Sequence, residues 1–155
     1  MPRTIEARLA EMGVTLPDAP APAANYVPWV ISGDLVIVSG QISVENGQLI
    51  TGKLGADMDV AAGQAAARVC AINLLAQVKA ACGGDLDRLD RVIRLGGFVN
   101  ATPDFTAHPQ VVNGASDFMA EALGEAGRHA RAAVGCASLP MGVAVEVEGM
   151  FRIKP

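Results

Sequence analysis

One arginine and two glutamates near the C-terminal end of the chain are the residues best suited to chemistry without a metal or cofactor. They lie in the stretch RAAVGCASLPMGVAVEVEGMF, from Arg131 to Phe151. Side chains of an extended strand alternate between its two faces. Val143, Val145, Val147, Phe151 and Ile153 then share a face and build core, while Ala144, Glu146, Glu148 and Met150 share the other. The two carboxylates stand about 6.6 Å apart along that face. In the preceding strand Arg131, Ala133, Gly135 and Ala137 share a face of very small side chains, which leaves room for a ligand. Arginine grips a carboxylate through two parallel hydrogen bonds, and glutamate can activate water or hold a proton. Arg131, Ala133 and Glu146 are therefore candidates for a site that takes a small anion. A plainer reading has Arg131 pairing with Glu146 or Glu148 across a terminal hairpin and facing solvent. Pattern alone leaves both open.

Other chemistries find less support. His108 and His129 are the only histidines, and neither has cysteine or carboxylate at metal-ligand spacing. Both are expected to be exposed loop residues, with no metal bound. No G-x-S-x-G elbow, phosphate loop or dinucleotide fingerprint occurs, so no cofactor is expected. Cys70, Cys82 and Cys136 lack a C-x-x-C spacing. Cys70 and Cys82 fall on one predicted helix about 18 Å apart, too far for a disulfide, and read as small buried thiols. A net charge of -4 and only 4% aromatic residues, with no cluster of Lys and Arg, exclude the electrostatic footprint of a nucleic-acid binder.

The elements that must position these residues belong to a chain of 155 residues, the usual size of one domain. Hydrophobic residues make up 51% against 18% charged, an apolar balance that a self-associating subunit would explain. No apolar run reaches the length of a membrane span, and the opening MPRTIEARLAEMGVTLP lacks the apolar block of a secretory signal, so a cytoplasmic location is expected. Thr4 caps a short amphipathic helix that Gly13 ends, and the proline-rich PDAPAPAAN follows as a connector. Residues 1–24 are thus an N-terminal extension, and 25–155 hold the main domain. The stretch YVPWVISGDLVIVSGQI predicts strands near Tyr26 to Ile31 and Leu35 to Ile42 around Gly33-Asp34, the first at a sheet edge because of Pro28. A short strand follows near Gln48 to Ile50. Residues Val60 to Cys82 predict a long helix, capped by Asp57 or Asp59 and stopped by Gly83-Gly84. A strand from Arg91 to Asn100, a helix from Gln110 to Leu123 and the two strands described above complete an α+β domain. It is a mixed sheet with two helices on one face, and strands joined through a helix run parallel.

Ser39-Gly40-Gln41, Phe98-Val99, Asp104-Phe105, Asn113, Arg131, Leu139-Pro140 and Val145-Glu146-Val147-Glu148 together carry a further signal. In these the chain resembles the Rid family, also called YjgF or RidA and once labelled endoribonuclease L-PSP, over about residues 25 to 153. The resemblance implies a chorismate-mutase-like fold assembled as a homotrimer with clefts between subunits. It implies an enamine/imine deaminase in which Arg131 binds the carboxylate of a 2-imino acid and Glu146 helps hold the attacking water. By the same matching Tyr26, Ser39, Gly40, Asn113 and Ala133 line the cleft. Ala133 stands where deaminase members carry cysteine, a position whose backbone carbonyl serves the water. The alternative is a non-catalytic trimer that binds a small carboxylate. Ribonuclease activity ranks last, given the acidity and the missing basic patch.

Overall fold

The computed structural model describes residues 4–22 and 24–155. Helix α1 (Ile5–Glu11) is capped by Thr4, whose hydroxyl accepts the Ala7 N–H, and a left-handed Gly13 follows it. Strands β1 (Trp29–Ser32) and β2 (Leu35–Ile42) come next, then a two-residue ribbon of β3 (Val44–Glu45) and β4 (Gln48–Leu49). The long helix α2 (Val60–Ala81) is capped by Asp59 and ends before the left-handed Gly83. Strand β5 (Leu89–Asn100), helix α3 (His108–Leu123), strand β6 (Ala130–Cys136) and strand β7 (Val145–Ile153) complete the order.

Five strands form one sheet in the order β1-β2-β7-β5-β6. All neighbours are antiparallel except β5 and β6, which run parallel because α3 crosses between them. The helices cover one face, giving the mixed-sheet α+β fold that the sequence predicts. Its core is the seam between helices and sheet, where Leu74, Leu75, Phe118, Met119, Val147 and Phe151 are fully buried. Helices α2 and α3 touch closely at Gly114, where an added Cβ would lie 2.0 Å from the Gln64 carbonyl oxygen. Among the described residues α1 joins α2 and α3, since its Leu9 is buried in the same cluster. No helix among the described residues is long and apolar enough to cross a membrane.

Two expectations are corrected. The last two strands are not a hairpin: β5 lies between them and bonds to both. The eight residues from Ala137 to Ala144 therefore carry the chain across a whole strand, and a bridge between Thr51 and Val143 anchors that crossing. The histidines are not exposed loop residues either. His108 opens α3, and both rings are partly buried.

The uncovered face of the sheet retains apolar side chains. Val30, Ile37 and Val134 are exposed there, beside the half-buried Phe98 and Met150.

Candidate functional site

Glu146 belongs to the uncovered face. Its strand β7 alternates strictly, so Val145 and Val147 are buried while Glu146 is half-buried and Glu148 exposed. The register between β2 and β7 slips between Val38 and Gln41, leaving Ser39 and Gly40 in a bulge. The slip lays the Gly40 backbone against the Glu146 carboxylate, and an added Cβ at Gly40 would stand 2.6 Å from Oε1. A side chain there would push the carboxylate aside. Tyr26, Gly40 and Glu146 line one cavity of about 280 Å3, closed on its other sides by Pro20, Pro22, Leu49 and Met141. Burial, with the neighbouring Glu148 carboxylate as a second cause, raises the Glu146 pKa above the ordinary glutamate value. The Ser39 hydroxyl is committed, donating to the Val27 carbonyl at 2.8 Å, and its N–H donates to Pro28 O.

Arg131 belongs to the other face. Its guanidinium rests against α3, where Nη1 donates to Asn113 Oδ1 at 2.8 Å and to Ser116 Oγ at 3.2 Å, and Nη2 to the Pro109 carbonyl at 3.4 Å. All three acceptors are neutral. The plainer reading, a pair with Glu146 or Glu148 across the strands, does not form within the chain, for both glutamates face the opposite side of the sheet, where Glu148 lies 3.7 Å from Arg94. Within the single chain the small residues beside Arg131 lie against α3 and the core. A Cβ at Gly135 would meet the His108 ring at 2.3 Å, and Ala133 packs against the core beside Gly97, onto which Val112 leans.

Within one chain the candidates thus fall into two groups. Arg131 shares a row with Leu95 and Gly149, and Glu146 shares one with Phe98 and Val134. The two residues are two strands and three positions apart, about 10 Å in each direction, with side chains on opposite faces. Tyr26, Ser39 and Gly40 accompany Glu146, whereas Asn113 and Ala133 accompany Arg131.

A known sequence pattern, described as "YjgF/chorismate mutase-like, putative endoribonuclease", matches residues 6–148. The chain belongs to this family. Protein TCP17 of Trypanosoma cruzi is 50% identical over 151 residues, covering 96% of this chain and 94% of the relative. A crystal structure of an Agrobacterium tumefaciens protein with unknown function superposes with a TM-score of 0.91 at 54% identity, covering 97% of this chain and 92% of that one. E. coli TdcF, solved with bound serine, superposes with a TM-score of 0.61 at 26% identity over 88% of this chain and 94% of its own. This YjgF-family chain departs from its sequence expectation at two residues that pattern reading missed. Ser116 hydrogen-bonds both Arg131 and His129, and the His129 ring is fixed at both nitrogens. Helical spacing held a weak signal, since Asn113 and Ser116 are three apart and share a face of α3.

Proposed function

We propose that this protein hydrolyses small 2-imino acids to 2-keto acids and ammonia, in a site completed by two copies of the chain. The carrying observation is Glu146, a half-buried carboxylate of raised proton affinity at the wall of a cavity large enough for a small organic acid. Arg131 supplies the complementary group. Its Nη atoms hold three neutral acceptors, and among the described residues its Nε makes no hydrogen bond, so the guanidinium retains a donor edge and an uncompensated charge for a carboxylate. Since the two groups lie on opposite faces of one sheet, a single ligand engages both only between subunits, in keeping with the trimeric assembly that the Rid resemblance implies. TdcF with bound serine supports a ligand of this size and charge.

The chemistry is simple and balanced. Water, held by Glu146, gives a proton to the carboxylate as its oxygen bonds to C2 of the imine. Glu146 passes that proton to the imine nitrogen, giving the carbinolamine. The carbinolamine O–H proton then moves by way of Glu146 to the nitrogen as the C–N bond breaks, so ammonia leaves, C2 becomes the keto carbon and Glu146 is again a carboxylate. Imines hydrolyse readily in water, so orientation and one base account for the acceleration required. A trimer that only binds small carboxylates is the second reading, favoured by Ala133 in the position of the deaminase cysteine.

The test generates 2-iminobutanoate in situ with an amino-acid oxidase and follows its capture by semicarbazide. The wild type is expected to suppress capture. Glu146→Gln should lower kcat about 100-fold or more, and Arg131→Ala should raise KM about 10-fold or more. No acceleration over buffer across several imino acids would leave only the binding reading.

A further inference from the structure

Three side chains and one carbonyl form a hydrogen-bonded line behind Arg131 that the proposed reaction does not itself use. His129 Nδ1 lies 2.6 Å from the Gly127 carbonyl oxygen. A carbonyl only accepts, so Nδ1 carries the proton. The other nitrogen, Nε2, lies 2.8 Å from Ser116 Oγ, and in the neutral ring it accepts the serine proton. With its proton spent on His129, Ser116 Oγ has lone pairs only for Arg131 Nη1 at 3.2 Å. Every donor and acceptor in the line is thereby assigned one direction, from the guanidinium through serine and imidazole to the backbone. Asn113 Oδ1 accepts from the same Nη1, and one edge of the guanidinium is fixed by two acceptors on consecutive turns of α3.

We propose that His129 is a positioning residue, which turns the Ser116 hydroxyl away so that its oxygen orients Arg131 toward the substrate carboxylate. This rests on reading Arg131 as the carboxylate anchor. The physical reason lies in the freedom of a helical serine. Without an acceptor at 129, its O–H turns to a carbonyl of the preceding turn of the helix, and its lone pairs no longer aim at Nη1. A flexible arginine then searches more rotamers before it can grip a carboxylate with two hydrogen bonds. Asp117 and Arg128 border the same recess as Ser116, His129 and Arg131 and are the other charged groups around it.

Two independent readouts test this. In the imine assay, His129→Leu and Ser116→Ala are each expected to raise KM for 2-iminobutanoate about 3- to 10-fold with kcat changed less than about two-fold. The double variant should lose no more than either single one, since both break one line. His129→Gln, which keeps an acceptor for Ser116, should restore KM. Equal loss in His129→Gln and His129→Leu, or additive losses, overturns the proposal. If the deaminase reading itself fails, the wild type shows no activity, and nitrogen-15 NMR still decides. His129 is expected as the Nδ1–H tautomer, and the Arg131 Nε–H should exchange faster with water in His129→Leu and at the wild-type rate in His129→Gln. An Nε2–H tautomer, or exchange unchanged in His129→Leu, overturns it.

Discussion

At the residue scale, the titration of two groups carries the most information about the site. Burial and Glu148 both favour the protonated form of Glu146, so its pKa lies above the ordinary 4.5. A base must be deprotonated to work, so kcat/KM is expected to fall as pH drops through this raised value, placing the acid limb above pH 4.5. Glu148→Gln removes the second cause and should move that limb to lower pH, a shift readable in a pH–rate profile. His129 is displaced the opposite way. Burial chiefly, with Arg131 adding to it, lowers its pKa against the counteracting Gly127 carbonyl. Its neutral form is favoured in the fold, and the stability this contributes is present above the ordinary 6.5 and lost as pH falls through the depressed value. Arg131→Ala should therefore raise the His129 pKa, as followed by its ring proton resonances; an unchanged or lower value would contradict the effect of the Arg131 charge on the ring.

At the scale of elements, two glycines separate what the site needs from what the fold needs. The atoms nearest a Cβ at Gly40 all belong to the Glu146 side chain, which can turn aside without moving backbone. Gly40→Ala is expected to leave the urea midpoint nearly unchanged, with less than about 1 kcal/mol lost, while displacing the carboxylate and lowering kcat at least about 10-fold. A Cβ at Gly114 meets the backbone of α2 at Gln64. Gly114→Ala must prise α2 and α3 apart and is expected to cost about 2 to 3 kcal/mol in the same melt. Much of this level was legible in the sequence. Strict alternation showed which β7 side chains are core, and Asp57 or Asp59 with Gly83-Gly84 marked the ends of α2, where Asp59 is the cap that forms. Two things were not legible. Period-two alternation says which residues share a face but not which face, so Arg131 and Glu146 were placed together although they stand on opposite sides. Adjacency in sequence suggested a hairpin for β6 and β7, whereas their eight-residue connection is long for one.

For the whole molecule, the apolar composition finds its place on the uncovered side of the sheet, where Val30, Ile37 and Val134 remain exposed. In the proposed trimer, further copies of the chain would cover this face, and Arg131 of one copy would reach Glu146 of another. Light scattering is expected to give three times the chain mass of 15.9 kDa. Val134→Asp, placed on that face, should reduce the mass and abolish activity together. A monomer mass for the wild type would remove the shared site.

The strand order also sets a schedule. Strand β7, which bonds to both β2 and β5, is made after every other strand. Until β7 is made, β2 and β5 each lack the neighbour that joins them in the folded sheet. At roughly 5 to 20 residues per second, the final strands emerge from the ribosome within seconds. Only then does the sheet close, and the glutamate that the proposed chemistry requires arrives on the same strand that completes the fold.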